Sequence, residues 1–136
     1  DGLHQKVGSK NVFELHGSVL RNSCTKCGKK YSAEFIRDSS GIPKCSCGGI
    51  IKPDVVLYGE ALDQRTMNCA IRAIANADML IIGGTSLAVY PAAGLIDFYS
   101  GSKLVLINKT STPLDGKADL VITESIGKTL EKIKVS

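Results

Sequence analysis

The chain has 136 residues, 43% of them hydrophobic, with no tryptophan and a net charge of +4. That suffices for one ordinary domain, or one small core with a satellite, filled by aliphatic side chains. So mild a charge does not by itself imply nucleic acid or a lipid surface, and no apolar run reaches membrane-spanning length. Five cysteines, four of them in two close pairs, point to a metal site in the reducing cytoplasm rather than to disulfides.

Residues 1–9 are polar and glycine-bearing and predict a loop, or a short helix with a loop. Val12–Leu15 is a short strand candidate, followed directly by His16-Gly17-Ser18. A histidine at a strand end suits proton transfer, because its free pKa lies near working pH. A hydrogen-bonded structural histidine also fits, and position alone prefers it.

Cys24-Thr25-Lys26-Cys27 and Cys45-Ser46-Cys47 lie 17 residues apart. Two cysteine pairs around a short excursion fit a tetrahedral four-thiolate zinc site. Four protein ligands leave no place for water, so the ion is expected to be structural. Gly48 and Gly49 would let the backbone of the short C-x-C pair bring both sulfurs to one ion. Lys26, Lys29, Lys30 and Lys44 would offset the formal charge of about −2 on such a centre.

Pro53 predicts extended backbone before it, and Val55-Val56-Leu57 is β-prone. An ordinary internal strand is the preferred reading; an open edge would accept an extended peptide. Residues 61–77 predict a helix, with Leu62, Met67, Ala70, Ile71, Ile74 and Ala77 on one apolar face. Cys69 on that helix is expected to be a buried thiol without chemical role.

Met79–Ile82 is a continuous apolar run, expected to be a parallel strand buried on both faces. It ends at Gly83-Gly84-Thr85-Ser86, and Pro91 fits the first turn of a helix running to Tyr99. Leu104–Ile107 and Leu120–Ile122 predict two further strands, and Ile126–Ile133 a final helix. A strand, a glycine turn and a helix is where nucleotides sit in open α/β folds, although a tight turn without ligand is an equal reading of GGTS alone. Asn108 ends the next strand, close to the offset at which a polar side chain meets a ribose hydroxyl. The fold class is therefore α/β: a parallel Rossmann-like sheet, residues 1–23 and 53–136, with a zinc-ribbon module inserted at 24–52.

Taken jointly, Asp1-Gly2-Leu3-His4, Glu14-Leu15-His16-Gly17, the cysteine pairs, Pro53–Glu60, Gly84–Ala92 and Ile107-Asn108 resemble a bacterial sirtuin, an NAD-dependent protein deacylase. The resemblance covers essentially the whole chain and raises His16 to the favoured general base. It implies that His16 takes a proton from the nicotinamide ribose while the acyl oxygen of a modified lysine attacks C1′. Nicotinamide leaves and the acyl group ends on ADP-ribose. Asp1, Gly84, Thr85, Ser86, Asn108 and the Ile126 backbone would contact NAD. Val55, Val56, Leu57, Tyr58 and Gly59, with Leu87 to Val89, would be two strands clamping the acyl-lysine peptide. Cys24, Cys27, Cys45 and Cys47 would hold the structural zinc.

The family's G-A-G-x-S pyrophosphate loop has no counterpart in this sequence. The expectation is an incomplete catalytic domain, inactive alone, that needs its N-terminal segment or a second chain. Two other functions compete: a zinc-ribbon nucleic-acid module and a non-catalytic nucleotide-binding module. The first requires aromatic and basic residues interleaved on one face, and Tyr31 and Phe35 are too few.

Overall fold

The computed structural model describes residues 1–134. The chain forms two compact units, Asp1–Met67 and a second beginning at Asn68.

The first unit opens with the short helix α1 (Leu3–Lys6). Its sheet is antiparallel, with β1 (Gly17–Cys24) in the centre, flanked by β2 (Lys30–Ser32) and β3 (Ile51–Val55). Helix α2 (Ala33–Arg37) follows β2 and is capped by Ser32, whose hydroxyl accepts from the Phe35 N–H at 3.3 Å. The core of this unit is small: Cys24, Cys45 and Ile51 are buried, with Tyr31 and Ile36 packed against them.

Val12–Leu15 is not a strand. A turn closed by Gly17 N–H to Glu14 C=O at 2.9 Å occupies that place, and pairing starts at Gly17. Gly17 has φ +75°, and a side chain there would run into the Asp54 carbonyl oxygen. The register of β1 on β3 then shifts between Ser18 and Asn22, which breaks the two-residue alternation by which strands are recognised.

In the second unit β4 (Leu80–Gly83), β5 (Leu104–Ile107) and β6 (Leu120–Ile122) form the expected parallel sheet, in that order. Leu104, Leu106 and Ile107 of β5 are buried. The β4 run is not buried on both faces: Ile81 is 47% and Met79 48% exposed. Residues 91–99 form a 3₁₀ helix, Ala92–Phe98, rather than an α-helix, with Ala93, Leu95 and Ile96 turned inward. The final helix α4 spans Ile126–Glu131.

Helix α3 (Gln64–Ala75) starts later than its apolar periodicity. Asp63 sets the start: its carboxylate accepts from the Thr66 N–H and hydroxyl, both at 2.7 Å. Cys69 on α3 is half-buried rather than buried. Among the described residues no helix is long and apolar enough to cross a membrane.

Candidate functional site

Two groups of side chains carry chemistry, one in each unit. In the first, the cysteine pairs form matching knuckles. Gly28 N–H bonds to the Cys24 carbonyl at 3.0 Å, and Gly48 N–H to the Cys45 carbonyl at 2.8 Å. Both glycines have positive φ, +73° and +80°, as such tight turns require. Gly49 has a different reason: a Cβ there would lie 2.6 Å from Cys24 Sγ and 2.7 Å from Lys26 Cβ.

The four sulfurs lie within 4.8 Å of one another. Cys24 and Cys47 are 3.5 Å apart, Cys27 and Cys45 3.6 Å. A tetrahedron with Zn–S bonds of about 2.3 Å has edges of about 3.8 Å, so these cysteines fit one zinc ion. The electrostatics agree. The Cys47 N–H, followed by the Tyr31 hydroxyl, holds the Cys45 thiol down at about 5. The Cys27 N–H, then the Lys26 N–H, lowers Cys24. Cys47 is helped by the Gly49 N–H, but the sulfurs of Cys27, Cys24 and Cys45 beside it push it up to about 12. Without a cation the fourth proton is hard to remove; a divalent ion supplies the missing charge.

Not every nearby lysine serves that charge. Lys30 Nζ instead donates to Asp54 at 3.0 Å and to the Ser23 hydroxyl at 2.7 Å, tying β2 and β1 to β3. Lys29 Nζ sits 5.6 Å from the centre of the Tyr31 ring.

His16 lies in the turn before β1, with its side chain exposed. Its carbonyl accepts from the Val56 N–H at 3.0 Å, which fixes the backbone beside the Val55–Gly59 segment. Val55 ends β3, but Val56 to Gly59 are not strand. The chain turns there, with Gly59 at φ +83° and Tyr58 fully exposed. Glu60 causes the turn: its carboxylate accepts from Leu57 N–H at 2.9 Å and from Lys52 Nζ at 3.3 Å. Lys52 also donates to the Val55 carbonyl at 2.9 Å. At the chain start, the Asp1 carboxylate accepts from the Leu3 N–H at 2.9 Å.

In the second unit the carboxyl ends of the parallel strands gather residues far apart in sequence. Gly84 N–H bonds to the Ile107 carbonyl and Asn108 N–H to the Ile122 carbonyl, both at 3.0 Å. Ile126, first residue of α4, lies on Gly83, where any side chain would meet its Cδ1. Gly84 (φ +64°), which leads into Thr85 and Ser86, thus shares the carboxyl edge of the sheet with Asn108 and Ile126, the edge at which nucleotides bind in open α/β folds. The Asn108 amide is already engaged, donating to the Thr110 carbonyl at 2.8 Å. Leu87 to Val89 are not a strand: Leu87 has φ +53°, and its N–H donates to the Thr85 hydroxyl at 3.2 Å. Val89 is exposed. Tyr31, the hydroxyl donor to Cys45, is not marked as functional by any sequence pattern, because its partner lies 14 residues away in the second knuckle.

Curated relatives are similar to nearly the whole chain. An NAD-dependent protein deacetylase of Clostridium perfringens is 66% identical over 98% of this chain and 55% of its own length. That of Clostridium acetobutylicum is 59% identical over the same shares. The chain therefore spans about half the length of the curated relatives it matches. A solved complex of Sir2 with a p53 peptide and NAD+ superposes with a TM-score of 0.88 at 41% identity, over 96% of this chain and 57% of that one. Sir2 bound to an acetylated peptide gives 0.88 at 40% identity, over 96% and 58%. The Sir2 family model matches residues 1–91, and with this fold and these two clusters the chain belongs to the Sir2 family.

Proposed function

We propose that this chain carries part of an NAD-dependent protein-lysine deacylase of the cytoplasm. The observation that supports this most is the gathering of Gly84, Thr85, Ser86, Asn108 and Ile126 at the carboxyl edge of the parallel sheet, in a member of the Sir2 family. These residues and Asp1 take NAD, the co-substrate. Asn108 exchanges its bond to Thr110 for one to a ribose hydroxyl. Residues 1–23 and 53–136 act as the nucleotide-binding part and 24–52 as the metal module.

His16 is the general base. Among the described residues nothing hydrogen-bonds its exposed imidazole, which argues against a structural role. It accepts the proton of the nicotinamide ribose hydroxyl as the acyl oxygen of the modified lysine attacks C1′. The C1′–nitrogen bond breaks and nicotinamide departs; the deprotonated ribose oxygen then bonds the acyl carbon, water adds to that carbon, and the lysine amine leaves with a proton, so the acyl group ends on ADP-ribose. Val55, Val56, Leu57, Tyr58 and Gly59 hold the acyl-lysine peptide with Leu87 and Val89. The Lys52–Glu60 pair keeps the first of these segments in shape. Cys24, Cys27, Cys45 and Cys47 hold zinc, which supplies structure and takes no part in the chemistry.

The relatives are about twice as long, so the rest of the pocket is assigned to polypeptide beyond this chain, in cis or in trans. Its test is nicotinamide release dependent on an acetyl-lysine peptide, in protein of the relatives' full length. His16→Ala should lower turnover by about 10²–10⁴-fold at unchanged thermal stability. Near-normal turnover returns His16 to a structural role. Robust turnover by the 136-residue chain alone would refute the need for more polypeptide.

A further inference from the structure

We infer that Tyr31 is a positioning residue for the metal centre: its hydroxyl holds the Cys45 sulfur in ligating geometry and slows loss of the ion. The inference rests on the four-cysteine zinc site. Tyr31 faces Asn22 across the β1–β2 pairing, and its hydroxyl donates to Cys45 Sγ at 3.0 Å. The ring does not reach there by chance. It packs against the Cys24, Cys45 and Ile51 core, lies 4.6 Å from the Phe35 ring, and has Lys29 Nζ 5.6 Å from its centroid.

The unequal cysteine pairs explain why a side chain is needed. The first pair has two residues between its cysteines, and two backbone N–H groups, of Lys26 and Cys27, reach Cys24 Sγ at 3.4 and 3.5 Å. The second pair has one residue between: the Cys47 N–H favours the Cys45 thiolate, and the Ser46 hydroxyl stays 3.9 Å from its sulfur. The Tyr31 hydroxyl, at 3.0 Å, supplies the close side-chain donor. A thiolate with two donors has its lone pairs fixed in direction, which leaves the remaining one aimed at the ion. Cys45 is 5% exposed, so water does not replace the phenol readily.

Tyr31→Phe keeps the ring and removes only the donor. Zinc transfer from the purified protein to 4-(2-pyridylazo)resorcinol should become about 10–100-fold faster. In cobalt(II)-substituted protein the thiolate-to-cobalt charge-transfer band should move to longer wavelength, because a thiolate without its hydrogen bond gives up electron density more easily. Phe35→Leu loosens the packing and keeps the hydroxyl, so it should leave the band in place. A loaded Tyr31→Phe protein with the parental release rate and band position overturns the inference alone. So does a Phe35→Leu protein that matches Tyr31→Phe in both readouts. A parent holding less than half an equivalent of zinc overturns the zinc site, and this inference with it.

Discussion

Asp115, first residue of the 3₁₀ turn Asp115–Lys117, shows how much one carboxylate can hold between two strands. It accepts from the Thr112 hydroxyl at 2.6 Å, the Ser111 hydroxyl at 2.8 Å and the Thr112 N–H at 3.0 Å. The Thr112 hydroxyl, then Ser111, holds its pKa below the ordinary 3.8. A depressed folded-state pKa gives stability that is complete above the unfolded value and is lost as pH falls through the folded one. Asp115→Asn should therefore raise amide exchange in β5 and β6 over the parent at pH 6. The gap should close as the pH drops well below 3.8. A gap that persists in strong acid would assign the effect to packing. At this scale the metal ligands were legible, because their spacing lies along the chain. Tyr31 was not, because nothing in a sequence says which side chain of β2 reaches a sulfur in a knuckle 14 residues on.

Among the elements, α3 makes the same point about boundaries. Its apolar face was visible from Leu62 onward, but the Asp63 cap decides where the helix begins. Asp63→Ala should cost about 0.5–2 kcal/mol, measurable by denaturant unfolding, and Asp63→Ser should recover most of it. The parallel strands were legible because continuous Val, Ile and Leu runs have few other uses. β1 was missed because its polar residues and its register shift at Ser18 to Asn22 hide the alternation. The two segments that the family motif suggests for the peptide, Val55 to Gly59 and Leu87 to Val89, were expected as strands and are not, apart from Val55. A carboxylate, Glu60, bends one, and the left-handed Leu87 interrupts the other.

For the molecule as a whole, the two units depend on different forces. Two of the three residues in the buried hydrophobic cluster of the first, Cys24 and Cys45, belong to the four cysteines positioned to bind zinc. The second is held by the aliphatic side chains of β5 and its neighbours. Freshly purified protein should contain about one zinc. Stripping it with excess chelator should abolish amide protection in β1, β2 and β3 while β4, β5 and β6 keep theirs, as hydrogen-exchange mass spectrometry would show. Equal loss in both halves would mean that the metal supports more than its own sheet. The turn that Glu60 imposes has one more consequence. It presents Tyr58 wholly to solvent on a bent, non-strand backbone, which is what a digestive endopeptidase cutting after aromatic residues needs. Brief chymotrypsin treatment should nick the chain after Tyr58 first, and in protein of the relatives' full length an acyl-lysine peptide should protect it if Val55 to Gly59 holds peptide as proposed. The cleavage pattern on a gel would then report occupancy of that segment with no turnover at all.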